Sequence, residues 1–184
     1  ASSIKPRNVQ WLWRDWLARG ALALIAGQPS TGKTTLALSI AAALSCGGKW
    51  PDASVAPKGK VAIWSGEDSS DMTLVPRLMA MGANMDNILF LKGGTHEFDP
   101  AEDMAKLSRD LESEECKDIA MVILDPIVNA TKGDSHKGAE VRRSLQPFVD
   151  LLEKRNIVGL GVTHFAKSTQ GRLTHERVLG SVAF

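Results

Sequence analysis

The segment GQPSTGKTT, residues 27–35, holds the most specific chemistry in the chain, because Gly27, Gly32, Lys33 and Thr34 satisfy G-x-x-x-x-G-K-[ST]. Glycine lets a backbone close tightly around an anion, and successive N–H groups of such a loop point inward at phosphate oxygens. Gly27, Gln28, Pro29, Ser30, Thr31, Gly32, Lys33, Thr34 and Thr35 are therefore the candidate phosphate-binding residues. Lys33 is placed to reach the β- and γ-phosphates, the Thr34 hydroxyl to ligate Mg²⁺, and the helix starting near Lys33 to offer its positive end. A Gly/Ser-rich turn can match such a pattern by chance. Here a buried-strand pattern precedes it and an Ala/Leu-rich helical pattern follows, which is the context the chemistry requires.

Two further acidic sites complete a reaction. Asp125 ends the apolar run MVILD, where a carboxylate would hold Mg²⁺ through water; the alternative is an aspartate opening a turn before Pro126. The stretch VAIWSGEDSS, residues 61–70, puts Glu67 and Asp68 just beyond another apolar run. Nucleotide hydrolysis needs a carboxylate that orients or deprotonates water near the γ-phosphate. Glu67 suits that role, with Asp68 the fallback and otherwise a turn residue or helix cap. Nucleotide kinases share the cradle but need an arginine-rich lid, and no such cluster is visible.

These residues must be positioned by elements, and the apolar pattern supplies them. ALALIAG (21–27), VAIW (61–64), ILFL (88–91), IAMVILD (119–125) and IVGLGVTH (157–164) read as strands. Helices are expected at 33–46, with Leu36, Ile40, Ala43 and Leu44 on the apolar face, at about 69–82 and at 100–114. A fourth carries Val141, Leu145, Phe148 and Leu152 on one face, with Pro147 inside it. CGGKWPDASVAPKGK, residues 46–60, is a loop. Alternating strands and helices give an α/β fold, a mostly parallel sheet with helices on both faces. Ligands of such sheets bind beyond the carboxyl ends of the strands, where Gly27, Glu67, Asp125 and His164 all fall.

Composition sets outer bounds. The 184 residues, 43% hydrophobic and 23% charged, suit one globular domain, and a net charge of +1 excludes a strongly basic nucleic-acid-coating chain. Cys46 and Cys116 match no metal-ligand spacing and read as buried or idle thiols. No run has membrane-spanning length and no signal-peptide pattern opens the chain, so the expected location is cytoplasmic, without membrane association. Trp11, Trp13 and Trp16 cluster before the first strand, as core packing or as a subunit contact.

Taken in order, GQPSTGKTT, IWSGED, VILDP and GVTHFAK resemble the RecA-type ATPases, and among them the RepA-like branch of hexameric replicative helicases. WLARGALALIAG, PRLMAMGA and AEVRRSLQPFVDLLEK extend the likeness from about Trp11 to the end of the chain. The resemblance implies one RecA-like domain over 1–184, with 1–20 as lead-in and 21–184 as a nucleotide-binding core lacking the family's last strands. It implies ATP and Mg²⁺ as ligands, Glu67 as the catalytic acid, and His164 as the γ-phosphate sensor; a lone histidine ending a strand can also be a structural hydrogen-bonder. Arg177 resembles an arginine finger reaching a neighbouring subunit's site, with Lys167 its rival and a plain surface arginine the third account.

Loops 126–138 and 165–176, carrying Lys132, Lys137, Lys167 and Arg172, would then face single-stranded DNA in the channel of a hexameric ring. Beyond Phe165 they offer no aromatic platform, and solvated surface loops account for them equally. The implied function is ATP-driven translocation on single-stranded DNA in replication. The alternatives are a RecA-like repair or recombination ATPase that does not unwind, and a nucleotide-dependent switch that does not bind DNA.

Overall fold

The computed structural model describes residues 8–91, 107, 109, 111, 113, 114, 116–127 and 138–165, with backbone only for 138–144. A short antiparallel hairpin, β1 (Trp11–Trp13) and β2 (Leu17–Ala18), leads into a five-stranded sheet. Its strands are β3 (Leu22–Gly27), β4 (Lys60–Ser65), β5 (Ile88–Phe90), β6 (Ile119–Asp125) and β7 (Val158–His164). They lie in the order β3-β7-β6-β4-β5, and every neighbouring pair is parallel. The described residues include the helices α1 (Lys33–Cys46), α2 (Val75–Ala80) and α3 (Gly138–Arg155), with a π-helical turn at Ser70–Leu74 entering α2. This is an α/β fold of the RecA-like type.

A parallel sheet covered on both faces buries both alternating sets of side chains, and the strand sequences show why. Val61, Ile63, Met121 and Ile123 point to one face, joining Ala37, Leu38 and Ala41 of α1 and Leu78 of α2. Ala62, Trp64, Val122 and Leu124 point to the other, joining Leu145, Phe148 and Leu152 of α3. Gly159 and Gly161 of β7 make that second face approachable. A Cβ on Gly159 would stand 2.4 Å from Leu152 Cδ1, and one on Gly161 2.6 Å from Ile127 Cδ1. The glycines therefore admit α3 and the start of the loop after β6 close to the sheet.

Several local expectations are corrected. The stretch 69–82 is not one regular helix: the Val75 N–H donates to Ser70 O in π register, and α2 proper ends at Ala80. Pro76 has no N–H to give, so an α-helical ladder cannot run unbroken through it. Ser69, not Asp68, caps this segment, accepting from the Met72 N–H. On α1 the expected stripe is displaced. Ile40 and Leu44 are buried, but Leu36 is 42% exposed, because the sheet and α2 cover a wide arc that includes Ala37, Leu38, Ala41 and Ala42. Cys46 is exposed and Cys116 partly so, both as free thiols, so neither is a buried thiol.

Of the three tryptophans near the start, Trp13 is buried, whereas Trp11 and Trp16 are exposed. Trp13 stacks on both Trp16 and Trp50, and its Nε1–H donates to Asp52. Pro147 does lie within α3. The segment 100–114 lies mostly outside the described residues.

Candidate functional site

The cradle begins where β3 ends. Gly27 allows the chain to fold back on itself, since a Cβ there would lie 3.0 Å from Thr31 Oγ1. Ser30 and Gly32 both take left-handed conformations, φ 62° and 83°, the alternation that turns backbone N–H groups inward. α1 starts at Lys33 with Gly32 as its N-cap and no side-chain cap bond. Its first N–H groups are thus left for a ligand rather than satisfied by the chain. Lys33 is nearly buried, and its Nζ donates to Gln28 O at 2.7 Å, folding the ammonium over the loop. The Thr31 hydroxyl donates to the same carbonyl at 2.9 Å.

Sheet register brings the other groups to this loop. Gly27 pairs with His164 across β3 and β7, and Ser65 pairs with Asp125 across β4 and β6. The Gly66 N–H donates to Asp125 O at 2.9 Å, which ties the turn bearing Glu67 to the tip of β6. A cavity of about 300 Å³ opens there, lined by Lys33, Thr34, Glu67, Asp125 and His164 among others. That volume is at the low end for small-molecule sites.

Asp125 is only 7% exposed and accepts from the Thr34 hydroxyl at 2.6 Å. Burial raises its carboxyl above the ordinary aspartate value of 3.8; the Thr34 hydrogen bond opposes this, and nearby Glu67 and Asp68 add to it. A desolvated carboxylate beside a hydroxyl fits a hard divalent cation, which would relieve that penalty. Among the described residues no group of three His, Cys, Asp or Glu could hold a metal by itself. Mg²⁺ seldom asks for one, being held by one or two protein oxygens together with substrate phosphates and water.

Glu67 is exposed, and its Oε1 lies 4.0 Å from His164 Nε2, too far for a hydrogen bond. His164 Nδ1 is buried without a hydrogen-bond partner among the described residues. Both residues line the cavity, and the half-exposed imidazole and the exposed carboxylate are where a ligand would meet them. Asp68 is turned elsewhere: its N–H donates to Ser65 Oγ, and its carboxylate faces Arg77 of α2 at 3.7 Å.

Arg77 also lines the cavity, and nothing in the sequence reading singled it out. It stands ten positions after Glu67, in the PRLMAMGA stretch that carries part of the resemblance. Only the geometry of the intervening turn shows which way it faces. Arg177, Lys167, Arg172, Lys132 and Lys137 lie outside the described residues. Of the two loops expected to face DNA, the described residues include Ile127, fully buried, and Phe165, whose N–H donates to Gly27 O.

A protein-family model described as AAA domain matches residues 1–170 of the chain. The chain belongs to this AAA family. Membership makes it a P-loop ATPase-type domain, in keeping with the cradle at Gly27–Thr35 and the parallel sheet behind it. No curated protein matches it. Among the described residues of this AAA domain, no helix is long and apolar enough to cross a membrane.

Proposed function

We propose that the chain is a Mg²⁺-dependent ATPase of the RepA-like helicase type, coupling hydrolysis to movement along single-stranded DNA as a ring. The observation that carries the ATPase part is the meeting of four strand tips at one cavity, with Thr34 bonded to Asp125 and with Lys33, Glu67 and His164 lining the same space. In this reading the loop N–H groups and Lys33 grip the polyphosphate, displacing the ammonium from Gln28 O. Thr34 and Asp125 would hold Mg²⁺, which when bound would supply charge neutralisation for the polyphosphate. Glu67, exposed and lining the cavity, takes a proton from the attacking water. His164 donates to a γ-phosphate oxygen and stands one residue from Phe165, where the second loop begins.

The DNA part is supported by the resemblance and by the basic residues of loops 126–138 and 165–176. Arg177, or Lys167, would complete a neighbouring subunit's site. The experiment is the ATPase rate with and without single-stranded DNA, followed by strand displacement on a forked duplex. Stimulation with displacement supports the helicase reading. Stimulation without displacement replaces it by a RecA-like repair or recombination ATPase, and ATP turnover indifferent to DNA replaces both by a nucleotide-dependent switch.

A further inference from the structure

We propose that Arg77 is a phosphate-binding cation supplied by the chain's own α2, and that Asp68 is the residue that positions it. This rests on the ATP-site reading above. The cavity counts Glu67 and Asp125 among its walls, with Asp68 close by, so a polyphosphate entering it meets acids as well as Lys33. Arg77 is the second cation lining that cavity among the described residues.

Its orientation is built by the segment before it. Leu78 is fully buried in the core and Met79 is 63% exposed, which fixes how α2 is rolled against α1. The residue before Leu78 is thereby turned to the cavity. The π-helical turn contributes to this roll. It spends one residue more than an α-turn, and each helical residue rotates the direction of later side chains by about 100°.

The Asp68 carboxylate then restrains the guanidinium, with Nη1 at 3.7 Å from Oδ2. Asp68 is itself carried on a turn pinned by two backbone donors, its own N–H to Ser65 Oγ and that of Gly66 to Asp125 O. One edge of a guanidinium can face Asp68 while the rest of its five-donor fork remains for phosphate oxygens. The pair is half-exposed and loose, so its contribution to folding is small. What it supplies is direction.

The test compares a non-hydrolysable ATP analogue with ADP, both with Mg²⁺, by titration calorimetry. Arg77→Ala is expected to weaken the triphosphate by about tenfold or more while changing ADP much less, as loss of a charge-assisted contact to the terminal phosphate predicts. Arg77→Lys should recover part of the loss. Asp68→Ala should shift the triphosphate-to-diphosphate ratio in the same sense, and should cause no further loss in an Arg77→Ala background. Lys33→Ala, run alongside, should lose both nucleotides. An unchanged ratio in Arg77→Ala, with Lys33→Ala defective, overturns the Arg77 assignment alone. Equal Asp68→Ala effects in both backgrounds overturn the positioning role. Normal binding of both nucleotides by Lys33→Ala overturns the ATP-site reading beneath it.

Discussion

Replacing Asp125 by asparagine should make the empty protein more stable while impairing its response to nucleotide. The carboxylate is 7% exposed, has the Thr34 hydroxyl at 2.6 Å, and lies near Glu67 and Asp68. Burial lifts its folded-state value above the ordinary 3.8. A raised carboxyl means that the folded chain holds the proton more tightly than the unfolded chain does. The charge at neutral pH therefore opposes folding, and stability falls as pH rises from the ordinary value through the raised one.

Asparagine keeps the shape, and its amide oxygen still accepts from Thr34, but it carries no charge. The gain expected in EDTA is about 1 kcal/mol, the usual size when a functional site is relieved of strain or charge. For a chain of this length that is a rise in Tm of about 2–4 °C. The same change removes a metal ligand. A ligand at a hundred times its Kd stabilises by about 2.7 kcal/mol, and a tenfold loss of affinity removes about 1.4 kcal/mol of that. Thermal unfolding in EDTA, and again with Mg²⁺ and a non-hydrolysable ATP analogue, reads both effects. A lower Tm in EDTA, or an undiminished shift with Mg-nucleotide, would refute the reasoning.

Other substitutions probe separate groups. Glu67→Gln should bind ATP normally and lower turnover by about 10²–10⁴-fold, the range for removal of a general base; if instead Asp68→Asn shows this loss and Glu67→Gln does not, the base is Asp68. Thr34→Val should leave the buried Asp125 carboxylate without its hydroxyl donor, lowering stability by about 1–3 kcal/mol in denaturant unfolding, and Thr34→Ser should not. Gly159→Ala places a Cβ 2.4 Å from Leu152 Cδ1 in a fully packed interface, so it should cost about 1–3 kcal/mol with little change in nucleotide affinity.

How far the fold could be read from the residues depends on the dimension in which each feature is encoded. Strands buried on both faces are written as continuous apolar runs, and IAMVILD is β6 residue for residue. A group at the end of such a run, like Asp125 or His164, needs no further information to be placed, since the strand tip is itself a location in space. The cradle is equally local, as its glycines and Lys33 lie within seven positions.

Side chains on helices are another matter, because their direction depends on azimuth as well as position. Leu36 looked inward by spacing and faces out, since α2 and the sheet select a different arc of α1. Arg77 carries no mark of its direction in the sequence, because a single extra residue in the π-helical turn changes direction by about 100°. The Trp13–Trp50 stack was hidden for a third reason: it joins the first hairpin to the loop after α1, segments whose only common mark in the sequence is composition. Arg77 thus illustrates the general case for this fold, in which the strand-tip groups that make a phosphate site are visible early and the helix-borne group that distinguishes one phosphate from the next is visible only in three dimensions.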